Sequence, residues 1–166
     1  MDESGIHLAM TRVCGRAPRG ERVVDTVPQH DGPNVTRIGA RSLQGLDAVR
    51  TVDGATDGDV FRTYGAQVLG PTLVPGDIVG MDNLGVHKIA GIREVMESDG
   101  AQVVSVPPYA PDLSPIALCG SKSKTALRKA KARSRAALES ALAQVWSTVT
   151  AVDAQHWFAH CGYTVQ

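Results

Sequence analysis

Four prolines fall within the nine residues Pro107-Pro108-Tyr109-Ala110-Pro111-Asp112-Leu113-Ser114-Pro115. Each fixes φ and removes an amide donor, so this stretch cannot be a helix interior or a central strand. It is an extended loop, and it divides the chain into two unlike parts. Strand and turn signals dominate before it, and helical periodicity takes over after it.

Upstream, Ile6-His7-Leu8-Ala9 reads as a short strand, followed by a loop punctuated by Gly15, Pro18 and Gly20. Residues 37–43 and 46–52 are strand candidates separated by the turn chemistry of Gln44-Gly45, which predicts an antiparallel hairpin. The period then changes. Asp57 is a candidate N-cap, and Val60, Phe61, Tyr64, Val68 and Leu69 share one helical face until Gly70-Pro71. The run Ile78-Val79-Gly80-Met81 predicts a strand covered on both faces. Ile89, Ile92 and Met96 then recur at helical spacing up to Gly100, and residues 103–106 predict the next strand. Strand, helix, strand in this order makes a parallel pair.

Downstream, one long helix is expected to carry Lys122, Lys124, Arg128, Lys129, Lys131, Arg133 and Arg135, a basic run with no acid inside it. The run reads either as a solvated helix face or as a phosphate-contacting surface. A second helix places Leu138, Leu142, Val145 and Val149 together, and Thr150-x-x-Asp153 is a capping box for a last short helix through Trp157. The fold class is therefore α/β: an antiparallel meander, then parallel strands, flanked by helices.

Composition narrows the function. In 166 residues, 43% are hydrophobic and 20% charged, with 17 basic side chains against 17 acidic, which excludes a disordered chain. No apolar run reaches the roughly 18 residues of a membrane span, and Met1 leads into Asp2-Glu3 rather than a basic and apolar leader, so a cytoplasmic location is expected. Cys14, Cys119 and Cys161 are three, far apart and without a C-x-x-C pair, which favours reduced thiols over a disulfide framework. The glycines of residues 15–20 lack the G-K-[ST] ending of a phosphate loop. His156, His160 and Cys161 have no fourth ligand nearby and are read as helix packing or surface residues.

In open α/β sheets, reactive groups collect beyond the carboxyl ends of strands, and Asp82-Asn83 stands where the 78–81 run ends. The same dipeptide is also good turn chemistry. Residues 73–88, the 106–116 segment, Asp2-Glu3-Ser4-Gly5 and the 15–21 loop together resemble the catalytic domain of bacterial insertion-sequence transposases of the mariner-like superfamily, which carry an acidic DDE triad. The likeness spans nearly the whole chain and implies a ribonuclease-H-like mixed sheet. It also implies magnesium-dependent cleavage and transfer of DNA strands.

Carried over position by position, the first acid of the pattern is Asp2 and the second is Asp82. The third falls on Ala117, with 34 residues between it and Asp82, and the Asn that precedes it in the family is here Ser114. A methyl group has no lone pair, so the resemblance implies weak magnesium or manganese binding by Asp2 and Asp82 alone, and doubtful activity. DNA is the implied partner, through His87, Lys88, Lys122, Lys124, Arg128, Lys131 and Arg135. A homodimer, or a mixed dimer with an intact transposase, is the implied assembly. The family places a helix-turn-helix domain ahead of the catalytic one. Only Met1 precedes Asp2 here, so residues 1–166 are expected to be a single catalytic-type domain without it. The competing class is a non-catalytic nucleic-acid-binding or dimerising remnant. An unrelated small-molecule enzyme has no phosphate loop or nucleophile motif to support it.

Overall fold

The computed structural model describes residues 1–82, 91–98, 100–107 and 110–164. His87, Lys88 and Ile89 lie outside the described residues. Three strands form an antiparallel meander: β1 (Asp2–His7), β2 (Asn34–Ser42) and β3 (Gly45–Asp53) in the order β1-β2-β3. The 6–9 strand candidate is corrected: β1 starts at Asp2 and stops at His7, where Leu8 turns back to bond Asp31. The β2–β3 turn lies at Leu43-Gln44, one residue before the expected dipeptide, and Gly45 enters β3 with φ of 140°, a value L side chains rarely adopt.

Helix α1 (Gly58–Tyr64) begins as the sequence predicts, with the Asp57 carboxylate accepting from the Val60 amide at 2.9 Å. It continues as a π turn over Gly65–Leu69 and a 3-10 turn through Thr72, so Gly70-Pro71 tightens the helix before ending it. A parallel pair follows, β4 (Ile78–Met81) and β5 (Gln102–Ser105), linked through α2 (Ile92–Glu97). Beyond the proline segment come α3 (Pro115–Ala130), α4 (Arg135–Ser147) and α5 (Ala151–His160). The capping box of α5 forms as read: Thr150 Oγ1 accepts from the Asp153 amide, and Asp153 Oδ2 accepts from the Thr150 amide. Among the described residues no helix is long and apolar enough to cross a membrane.

Alternation on β2 divides the core. Ile38 and Ala40 face one side with Phe61, Tyr64, Leu69, Val79, Met81, Met96 and Val103. Val35 faces the other with Ile6, Leu127, Leu138 and Leu142. A strand buried on both faces is the expected place for a near-continuous buried run, and residues 35–40 are all buried. Tyr64 ties the first cluster to the meander through a 2.8 Å hydrogen bond to the Ala48 carbonyl, and burial pushes its phenol pKa up.

Two further expectations are corrected. Strand β4 is not covered on both faces. Val79 and Met81 are buried, whereas Ile78 is 68% exposed, because its outer side meets an open cleft instead of a helix. The basic run is not one helix either. Helix α3 ends at Ala130, Lys131 caps it with φ of 49°, and Arg135 opens α4.

Candidate active site at the ends of β1 and β4

Asp2 is the first residue of β1 and Asp82 directly follows β4. The Met1 amino group donates to the Gly80 carbonyl at 2.6 Å, which joins the two sheets at this point. Met1 thus meets Gly80, while the next residue, Asp2, feels the charge of Asp82. The two carboxylates therefore stand near each other, at the start of β1 and just beyond the end of β4.

The electrostatics follow from that geometry. Burial, aided by the Asp82 charge, raises the pKa of Asp2, although a hydrogen bond from the Glu3 amide and the Arg37 guanidinium act in the opposite sense. Burial also lowers the Met1 amino group to about 6, against the pull of Asp2 and Asp82. A buried carboxylate with a second one beside it forms a natural place for a cation.

Cross-strand partners share a face, so Asp2, Ser4 and Ile6 point the same way as Gly39, Arg37 and Val35. Helix α3 packs on that face. Gly120 lies against Arg37: a Cβ there would stand 3.6 Å from the guanidinium Nη2, an ordinary contact. Further along, Leu127 packs with Ile6. Ala117, partly buried, lies one turn before Gly120 on the same stripe of α3 and toward the Asp2 end of β1. Pro115 occupies the first turn of α3, and Ser114 stands at its N-cap without a side-chain capping bond. Asp112, the nearest acid in sequence, is exposed in a 3-10 turn, and its charge is felt at the Cys161 thiol. Among the described residues no group of three or more His, Cys, Asp and Glu side chains gathers to hold a metal ion.

The basic residues divide. Lys122 bonds the Thr148 carbonyl and Asp153. Lys131 pairs with Asp25 at 2.6 Å, Arg133 donates to the carbonyls of Leu8 and Met10, and Arg135 pairs with Asp53 and Glu139. Lys124, Arg128 and Lys129 have no such bond among the described residues. Sequence reasoning missed Arg37, a fully buried guanidinium beside Gly120 whose charge reaches Asp2. No local signal marked it, because its inward position follows from the register that sets it opposite Ser4 on a strand buried on both faces.

The sequence model of the family described as DDE superfamily endonuclease matches residues 1–139. The chain belongs to this family. Solved structures agree on the fold. The Mos1 transposase paired-end complex with left transposon end superposes with a TM-score of 0.75 at 15% identity, over 96% of this chain and 50% of that one. The mariner Mos1 paired end complex with Mg gives 0.72 at 13%, over 96% and 52%. The Mos1 strand transfer complex gives 0.71 at 15%, over 96% and 49%. This member of the DDE family thus has a ribonuclease-H-like fold in common with those Mos1 structures and spans about half the length of those chains. No curated protein matches it.

Proposed function

We propose that this DDE-family chain is a degenerate catalytic domain of an insertion-sequence transposase, descended from an enzyme that cut and joined DNA strands, and inactive as it stands. The observation that carries the reading is the third position. Asp2 and Asp82 stand at neighbouring strand ends, and the helical stripe facing Asp2 begins with Ala117, which offers no oxygen.

The donor set fits one divalent cation in part. Asp2 and Asp82 would hold it, with water completing the shell, and the Mos1 paired end complexes with Mg and with Mn support that choice. A bound ion of this kind supplies positive charge to a phosphodiester oxygen. The protein's own part is to place two carboxylates at the strand ends, with the Arg37 charge offsetting part of the cost of burying Asp2. Without a third acid, one of the two reacting oxygens goes unsupported, which commonly carries orders of magnitude in rate. DNA is the partner in this reading, held by Lys124, Arg128 and Lys129, and His87 and Lys88 belong to the DNA-contacting set that the family resemblance implies. Residues 1–166 act as one catalytic-type unit in the cytoplasm.

The missing oxygen also favours a second reading, a DNA-binding or dimer-forming remnant that interferes with an intact transposase. Nicking of supercoiled DNA with magnesium or manganese tests the first. No cleavage is expected from the chain as given. Robust cleavage, abolished by Asp82→Ala, would overturn the reading and make Asp112 the first candidate for a third carboxylate.

A further inference from the structure

Asp2 lies opposite Gly39 in the β1–β2 register, and Arg37 lies opposite Ser4. Arg37 is therefore the diagonal cross-strand neighbour of Asp2 on the face that α3 covers. Diagonal neighbours stand about 7–8 Å apart, within reach of a long side chain. The Arg37 side chain is fully buried, and its Nε and Nη2 have no hydrogen-bond partner among the described residues. The narrow pocket it borders is lined by Ser4, Ser123, Lys124 and aliphatic residues, with no carboxylate among them. A buried guanidinium without a carboxylate beside it is costly, and it cannot shed its proton to escape that cost.

The negative charge on its face of the sheet is the acid pair. The Arg37 charge reaches Asp2 and opposes the effects of burial and of Asp82 there. The other guanidinium of β2, Arg41, is engaged elsewhere: it stacks over the Trp157 ring at 4.2 Å from the centroid, and the charges of Asp153 and Asp47 act on it. A charge count at the site follows. Three acids of the DDE pattern would present three negative charges to a cation. Ala117 leaves two, and Arg37 offsets one of them, so a divalent ion meets a net charge of minus one. Salt screens such buried charges little, which makes one unit of repulsion large in binding terms.

We propose that Arg37 is a resident cation of the acid pair, which takes by its charge the place of a metal ion and so holds the affinity of Asp2 and Asp82 for a free divalent cation low. That role rests on the proposed reading of Asp2 and Asp82 as cation ligands. It adds a second cause of weak metal binding to the methyl group at position 117, and the two causes are separable by mutation.

The test reads manganese binding to the full chain, without DNA, from the electron paramagnetic resonance signal of the free ion. Arg37→Met and Arg37→Gln should bind manganese about tenfold or more tighter than the parent. Arg37→Lys, which keeps the charge, should stay within about twofold of the parent, as should Arg19→Met, which removes an equal charge from an exposed loop. Replacing a buried, unpaired charge by a side chain of similar volume is commonly neutral or stabilising, and two neutral variants guard against a local packing fault in either. The rise of melting temperature on adding manganese, larger in both than in the parent, gives a second readout on the folded state. Asp82→Ala in the Arg37→Met background should remove the gain. Equal affinity in Arg37→Met, Arg37→Gln and the parent, with binding still lost on Asp82→Ala, overturns the resident cation and leaves the cation site standing. An equal gain in Arg37→Lys overturns it as well, because packing rather than charge is then the cause. Binding that Asp82→Ala leaves untouched overturns the acid pair as cation ligands, and the resident cation with it.

Discussion

The acidic strand ends and the basic run were the two charged features visible in the sequence, and the fold treats them in opposite ways. Asp2 and Asp82 are 80 residues apart in sequence and are brought close enough for the charge of Asp82 to be felt at Asp2. The seven cations between Lys122 and Arg135 are contiguous in sequence and are dispersed: Lys122, Lys131, Arg133 and Arg135 each bond a different part of the molecule. Proximity in sequence therefore marked a structural clasp, whereas the candidate site had to be assembled. Arg133 shows why. At the α3–α4 hinge it reaches the carbonyls of Leu8 and Met10, which β1 leaves without ladder partners where it turns.

The largest test of this contrast adds the missing acid. Ala117→Glu with Ser114→Asn, fused to a helix-turn-helix domain, should convert no detectable nicking into metal-dependent nicking, a change of orders of magnitude. Asp82→Ala in that background should abolish it. If the repaired chain folds and stays inert, the strand-end pair is not a metal site.

Next in size is a separation within the basic run. Replacing Lys124, Arg128 and Lys129 with Gln should flatten the salt dependence of DNA binding by about 0.9 for each phosphate no longer neutralised, with the melting temperature unchanged. Equal loss of stability and of binding would erase the distinction between clasp and surface.

Arg133→Ala should then cost about 1–3 kcal/mol, read by denaturant unfolding, because two carbonyls lose a charged donor. Lys129→Ala, on an exposed face, should fall within about 0.5 kcal/mol of the parent.

Lys131 carries two opposed effects. Its φ of 49° costs about 1–2 kcal/mol for a side chain with a Cβ, while its pair with Asp25 is open to solvent and contributes less than that. Lys131→Gly should therefore be neutral or mildly stabilising, and Lys131→Ala should be the less stable of the two variants in thermal unfolding.

The smallest effect concerns Asp153. The Thr150 amide and the Lys122 ammonium hold its carboxyl down at about 2 from 3.8. A depressed folded pKa gives stability that is present above the unfolded value and is lost as pH falls toward 2. The melting temperature gap between the parent and Asp153→Ala should be wider at about pH 6 than at about pH 2.

Local signals were legible wherever one short segment decides its own geometry. The Asp57 cap, the Thr150-Asp153 box and the antiparallel hairpin all needed only neighbouring residues. The stop of β1 at His7 was not legible, since a bond from Leu8 to Asp31, far along the chain, decides it. Nor was the exposed outer side of β4, because an apolar run of four has no period long enough to reveal a missing neighbour. Arg37 hid for a related reason. Its burial depends on the β1–β2 register and on α3, which covers that face of the sheet at Gly120.

Sequence by itself determined the order of elements, Asp82 at the end of the 78–81 strand and the methyl group at position 117, because each is a matter of residue type and local spacing, whereas Asp2 was placed on the first strand by the family resemblance. Tertiary structure alone decided that Met1 meets Gly80 and that Asp2 feels Asp82. It also decided that four of seven cations bond distant parts of the molecule and that a cleft opens between β2 and β4. These depend on how strands from distant parts of the chain are laid side by side, and no local pattern carries that register.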